Sequence, residues 1–373
     1  MIVSYLMASF VLKSKLVYCR AVVMACHLSR QLLRRCPQCA RQMSRQYRAV
    51  VLEKAGEPLV IKDIQEPLLP KDNEVIVRVR SAGVNHNDWM IVSGLHHARL
   101  AVGTVPGYEF SGEVKSVGGG VKRFQEGDRV VGLKTMTTGA YAEECVVDEM
   151  ELFPIPHSVS YETAASIPVP YCTAFLALEN VVKVKEGEKV LVISSHGSTG
   201  LAAVDLAINI YKCEVIGAAE TEAKCAVLRP KGVLATIEYQ DQDLVALTRK
   251  YTKGRGVDLV IDTVGGPLFT KALECVKPFG RICPVGFSAG QIPNISLQEL
   301  NRHQATVAGI WLGGFARLYH DRFCEMMTTI ISLLDEQYID PVVATRFTLE
   351  QVNEALQHVA DKSTMGKTVL EIP

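Results

Sequence analysis

The run VLVISSHGSTG, residues 190–200, joins an apolar strand to a glycine-bearing turn and then to a helix beginning at about Thr199. This order of elements brings backbone N–H groups and a helix N-terminus together at one point, the arrangement that receives a nucleotide pyrophosphate. Gly197 and Gly200 keep the three-residue spacing of the dinucleotide fingerprint, but Ser194 stands where its first glycine would be. A serine there is a mild change if its backbone stays at φ < 0 and a costly one if φ > 0 is required. Alone, the turn also fits a tight strand-to-helix connection in some other α/β protein.

Its surroundings narrow the choice. After it, strands and helices alternate: EVIGAA, EAKCAVLRPKG, ATIEY, LVALTRKYTKG, VDLVIDTVG, FTKALECVKPFG and RICPVGF. Near-continuous apolar strands separated by amphipathic helices predict a parallel sheet covered on both faces. Before it, from Tyr47 to about Pro156, YRAVVLEKAG, LVIKDI, EVIVRVRSAGVN and GDRVVGL are short β-rich runs punctuated by Gly, Pro, Asp and Asn turns. They predict a smaller, barrel-like β domain. The three glycines at 118–120 mark a bend between strands, since no helix follows them. Near the C-terminus, Leu349, Val352, Leu356 and Val359 follow helical spacing and predict a core-facing helix.

The chain of 373 residues is long enough for two domains, and 48% hydrophobic with 21% charged residues suits an ordinary globular protein with a large core. Forty basic residues balance forty acidic ones, which argues against a nucleic-acid partner. No stretch reaches the roughly 20 apolar residues of a membrane span. The first 52 residues hold no Asp or Glu but nine Lys or Arg, from Lys13 to Arg48, as in an organellar transit peptide. The expected location is the mitochondrion, with the cytoplasm as the alternative. Met24 is a candidate second start. Four of the eleven cysteines (Cys19, Cys26, Cys36, Cys39) fall in this lead, and the odd total without framework spacing points to reduced thiols.

The end of the second strand, EVIGAAETEAK, leaves the cofactor open: Glu220 favours NAD, whereas Thr221 and Lys224 favour NADP. At this point AGVNHNDWMIVSG (82–94), VPGYEFSGEVKSVG (105–118), EGDRVVG (126–132), GAYAEECVV (139–147) and the terminal MGKTVLEI come together. They resemble the medium-chain dehydrogenase/reductase superfamily and, within it, the zinc-free quinone oxidoreductases related to zeta-crystallin. The likeness runs from residue 47 to 373, with the motifs in the expected order. It implies an α/β fold: a GroES-like β-rich catalytic domain plus a Rossmann doubly wound parallel sheet. The expected divisions are a lead at 1–46, a catalytic domain at 47–165, a Rossmann domain at 166–308 and a return to the catalytic domain at 309–373.

The resemblance also implies NADPH. Cofactor positions would fall on Thr173, on the turn made by Ser194, Gly197, Ser198, Thr199 and Gly200, and on Thr221, Lys224 and Tyr239 near the adenosine phosphate. Val264 and Phe287 would lie towards the nicotinamide, and the acid that selects NAD would align with Ala219. Zinc-dependent relatives hold a catalytic metal with Cys and His; here the matching positions read Asn85, Tyr108 and Val169, so no metal is expected. His86, His96 and His97 are better read as loop histidines than as a metal cluster.

Without a Lewis acid, the substrate must accept hydride readily, as a quinone or an α,β-unsaturated carbonyl does. Asn85 is the first candidate to donate a hydrogen bond to the developing oxyanion, with a structural loop role as its alternative. Asp88 is read as bracing that loop. His96, where relatives often carry tyrosine, is a second catalytic candidate as a proton donor, or else it lines the cleft. The rival functions are a mitochondrial enoyl-thioester reductase and a non-catalytic NADPH-binding protein. The expected assembly is a homodimer.

Overall fold

The computed structural model describes residues 46–65, 69–96, 99–135 and 137–373. The acid-free lead as far as residue 45, with its four cysteines, and His97 lie outside the described residues. Arg48–Lys62 and Leu69–Pro373 form one compact unit, and the few other described residues, at 46–47 and 63–65, group apart from it.

The N-terminal runs form β1 (Gln46–Val51), β2 (Val60–Gln65), β3 (Glu74–Val84), β4 (Glu109–Val117), β5 (Arg129–Leu133), β6 (Glu144–Asp148) and β7 (Leu152–Pro154). Helix α1 (His86–Val92) follows β3 directly. Helices α2 (Tyr161–Ala165) and α3 (Pro168–Phe175) lead out of this lobe, and α3 continues as a π-helical turn over Leu176–Val181.

The alternating part follows as β8 (Lys189–Ile193), α4 (Ser198–Asn209), β9 (Glu214–Ala219), α5 (Glu222–Ala226), β10 (Ala235–Glu238), α6 (Leu244–Tyr251), β11 (Val257–Asp262), α7 (Gly266–Cys275) and β12 (Val276–Pro284). Helix α8 (Leu297–His303) and β13 (Thr306–Val307) complete it. Its strands lie in the order β10-β9-β8-β11-β12-β13, all parallel. Numbered from β8, this is the 3-2-1-4-5-6 order of a doubly wound dinucleotide sheet, and its switch point lies between β8 and β11. Strand β8 shows why the run is apolar throughout: Val190 and Val192 enter the core on one face, Leu191 and Ile193 the core on the other.

After β13, α9 (Leu312–Leu318) and α10 (His320–Asp335) pack near α3, with Phe323 of α10 also reaching Phe153 of the β-rich sheet. The chain rejoins that sheet only with β14 (Val343–Thr348) and β15 (Lys367–Glu371), which flank α11 (Val352–Ala360). Within the segment 309–373 read from sequence as the return, the strands that join the sheet begin at Val343. Strand β15 lies antiparallel to β3, with Thr368 opposite Val84, so the end of the chain forms part of the first lobe.

The lobes share apolar packing. One continuous core includes Val131 and Phe153 of the β-rich lobe, Val190 and Val192 of the parallel sheet, and Phe323 and Met327 of α10. Phe323 is fully buried and stands edge-on to Phe153, with ring centroids 5.8 Å apart. Truncating Phe323 removes the contact that closes this core across both lobes. Phe323→Ala is expected to cost about 3–5 kcal/mol, measured as a fall in the urea midpoint.

Candidate active site

The glycine turn at the end of β8 is built by close backbone approach. A Cβ on Gly200 would stand 2.5 Å from the Ser194 carbonyl oxygen and 2.7 Å from Ser195 Cα, so α4 reaches the strand only because residue 200 has no side chain. Ser195 is tied to the neighbouring strand, its N–H and its hydroxyl both donating to Ala218 O at 3.0 Å. Ser194 takes φ +56°, the left-handed region, so serine here is the costly substitution for the fingerprint glycine.

Gly197 differs. It caps α4 at φ −76°, and a Cβ there would meet only Ser194 O at 3.8 Å. The fold leaves room for a side chain at 197, and a close-lying ligand would need that room. The cap brings no side-chain acceptor, so first-turn N–H groups of α4 are left for an anion. This cradle fits a pyrophosphate.

The second wall of the crevice follows β11. Asp262 is fully buried and accepts from the N–H groups of Val264 at 2.8 Å and Gly265 at 3.1 Å; burial raises its pKa. It fixes a turn in which Gly265 (φ +68°, ψ −146°) holds a conformation that only glycine adopts readily. Thr263 Oγ1 donates to Ile193 O at 3.0 Å, pinning the two strand ends together at the switch point.

Between these walls and α1 lies a cleft of about 200 Å³. Of the residues expected to bind cofactor, Thr173, Ser194, Gly197, Ser198, Thr199, Gly200 and Phe287 line it. Thr221, Lys224 and Tyr239 gather instead at the ends of β9 and β10. Thr221 caps α5, and Lys224 Nζ pairs with Glu220 Oε2 at 2.5 Å. Burial pushes the Glu220 carboxyl up, but Lys224 and Lys362 outweigh it, so the group lies below its ordinary value. Tyr239 Oη is buried close to Ser194 and Glu220; burial, and then Glu220, raises its pKa. Tyr239, Lys224 and Lys362 thus all face Glu220, and two cations with a hydroxyl suit an adenosine phosphate. Val264 is buried in the core behind the cleft.

Asn85 lines the cleft as the N-cap of α1. Its backbone N–H donates to Asp88 Oδ2 at 2.8 Å, and the same oxygen accepts from Tyr141 Oη at 2.8 Å. Asp88 thus braces the loop, as its position suggested. Its side chain is buried with Oδ1 unpartnered, and burial pushes its pKa up to about 6. The Asn85 amide donates from Nδ2 to Glu109 Oε1 at 2.7 Å and accepts at Oδ1 from Lys367 Nζ at 2.6 Å. One amide proton is therefore committed within the protein, and only the other remains for a substrate.

His96 is not among the residues lining the cleft; its backbone N–H donates to Met90 O at 3.1 Å, past the end of α1. Tyr108 is half-buried, and burial, with Asp88 nearby, pushes its pKa up to about 12. Val169 contributes its N–H to Glu109 Oε2 at 2.7 Å. Among the described residues, no group of three or more His, Cys, Asp or Glu is placed to hold a metal ion.

Several cleft residues escaped the sequence reading. His196, 3% exposed, lies in the turn itself; burial, then Lys224, pushes its pKa down to about 4, so it is neutral near pH 7. Lys362, Thr364 and Thr368 enter from the C-terminal return, with Lys362 Nζ 4.0 Å from Glu220 Oε1. Of these three only Thr368 lies within the motif MGKTVLEI, whereas Lys362 and Thr364 precede it and carried no signal.

A parallel sheet of this order, a pyrophosphate cradle at its switch point and a polar wall from a GroES-like lobe define a dinucleotide-dependent oxidoreductase. Comparison with known proteins agrees: the model of the alcohol dehydrogenase GroES-like domain matches residues 71–157 and that of the zinc-binding dehydrogenases matches 198–332. Quinone oxidoreductase-like protein 2 of Bos taurus is 35% identical over 329 residues, 88% of this chain and 93% of that protein. Human quinone oxidoreductase is 28% identical, over 87% of this chain and 97% of that protein. The crystal structure of Escherichia coli quinone oxidoreductase complexed with NADPH superposes with a TM-score of 0.80 at 27% identity, covering 87% of this chain and 100% of that one. The chain belongs to the medium-chain dehydrogenase/reductase superfamily.

Two predictions concern the site's own residues. Ser194→Gly should stabilise the protein by about 1 kcal/mol by relieving the left-handed serine, whereas Gly200→Ala should destabilise it by several-fold more; thermal melts distinguish the two. Asp88, folded near pH 6 against 3.8 unfolded, binds a proton more tightly in the native state. Its contribution is present at low pH and lost as pH rises through 6. The stability of the wild type relative to Asp88→Asn should therefore grow by about 2.4 kcal/mol between pH 7.5 and pH 4, read from urea unfolding at both.

Proposed function

We propose that the chain is an NADPH-dependent reductase that transfers hydride to a quinone or an α,β-unsaturated carbonyl without a zinc ion. The observation that carries this reading is the facing of two walls across one cleft: the uncapped N-terminus of α4 with Gly197, and the Asn85 amide at the start of α1. Bound NADPH supplies the hydride from its nicotinamide ring. The chain's residues do the rest. First-turn N–H groups of α4 hold the pyrophosphate, and Lys224 with Tyr239 and Lys362 receive the adenosine phosphate. The turn fixed by Asp262 presents Thr263 on the nicotinamide side.

Hydride added to a quinone or enone carbon moves an electron pair onto the carbonyl oxygen. The free Nδ2 proton of Asn85 donates to that oxygen, which then takes a proton from water in the cleft. Asn85, Tyr108 and Val169, at the positions where zinc-dependent relatives hold metal, support a reaction that needs no Lewis acid. The basic, acid-free lead supports a mitochondrial location, and the family resemblance supports a homodimer.

NADPH should quench tryptophan fluorescence more strongly than NADH, mainly through Trp89, whose ring lies 5.2 Å from that of the cleft residue His86. Equal or absent quenching overturns the cofactor assignment. The chain without its lead should oxidise NADPH with an ortho-quinone or a short enone, in a preparation free of stoichiometric zinc by elemental analysis. Turnover with an enoyl thioester alone would favour the rival reductase. Asn85→Ala should lower turnover about 100-fold with NADPH affinity kept.

A further inference from the structure

Behind Asn85 sits a fully desolvated ion pair for which the reaction above has no use. Lys367 Nζ contacts Glu109 Oε1, and the two side chains are 2% and 0% exposed. Lys367 opens β15 and Glu109 opens β4, the two strands that flank β3 where it ends beside Asn85. Glu109 is held at its second oxygen by Val169 N–H. The backbone also makes room for it, since a Cβ on Gly83 would collide with the Glu109 carboxylate, 2.7 Å from its Cδ. Taking two charges out of water is unfavourable, and apolar side chains of similar volume fill such a space at lower cost. Stability alone does not account for the pair.

Its geometry does something specific to Asn85. An ammonium only donates and a carboxylate only accepts. With Lys367 on Oδ1 at 2.6 Å and Glu109 on Nδ2 at 2.7 Å, the amide is locked in one of its two flip states. A cation hydrogen-bonded to the amide oxygen also draws electron density through the conjugated C–N bond. The remaining Nδ2 proton becomes a stronger donor, backed by an ion pair that is itself out of water.

We propose that Lys367, with Glu109 as its counter-ion, is a positioning residue that locks and polarises the Asn85 amide for the substrate oxyanion. The ion pair is neutral as a whole, and it acts by presenting one oriented, polarised N–H on the side of the cleft where zinc-dependent relatives bind their metal. This rests on the reductase reading above only in naming the substrate oxygen as the acceptor.

The test separates charge from packing. Lys367→Met alone strands a buried carboxylate and is expected to fold poorly, so the informative protein is Lys367→Met/Glu109→Gln, which removes both charges at nearly constant volume. It should melt within a few degrees of the wild type and bind NADPH within threefold, yet its kcat with an ortho-quinone should fall at least tenfold with little change in KM. A double variant with wild-type kcat overturns the proposal. In ¹⁵N-asparagine-labelled protein, assigned by loss of the signal in Asn85→Ala, the Asn85 side-chain protons should move upfield in the double variant. Unmoved protons also overturn it. A wild-type chain that reduces no acceptor would sink the reductase reading, while the amide shifts would still decide whether Lys367 polarises Asn85.

Discussion

The contact of α4 with the backbone of β8 is the constraint on which the site depends. With nothing at residue 200 beyond a hydrogen, the helix starts against Ser194 and Ser195, and its first N–H groups open into the crevice between β8 and β11. The turn after β11 must then match it, which the buried Asp262 carboxylate achieves by holding Val264 and Gly265 N–H groups. The two turns are joined by Thr263 to Ile193 O. Sheet order, helix placement and the ligand cradle are consequences of one close approach.

The opposite wall is governed by electrostatics. Asp88 and Glu109 are buried carboxylates on either side of Asn85, one holding its backbone and the other its side chain. Lys367 pairs directly with Glu109 and acts on Asp88 only through space. Asp88 relies on Tyr141 and a backbone N–H, and its raised pKa reflects that poorer compensation. The pair and the lone acid thus give one short segment a fixed backbone and a fixed amide.

What could be read from sequence follows from the range of the interactions. The alternating strands and helices, the turn at 194–200 and the helix near 352–360 are set by periodicity within a dozen residues, and each was legible. Asn85 was legible as a cleft residue because of its motif. Its partners were not, because Lys367 lies 282 residues from Asn85 and 258 from Glu109. The sign of φ at Ser194 depends on how closely α4 approaches, which composition does not encode. His96 shows the reach of a motif position, which suggests a role but does not place the ring in the chamber that Asn85 lines.

The pairing of β15 with β3 has a further consequence for how the protein is made. Lys367, which bonds the Asn85 amide oxygen, is synthesised 282 residues after Asn85 itself. The parallel sheet has all its strands once the ribosome has passed Val307, but the end of β3 waits with an open edge until β15 has emerged. A nascent chain at that stage holds a nucleotide cradle without an oriented amide. The amide is therefore held only in chains that extend through β15.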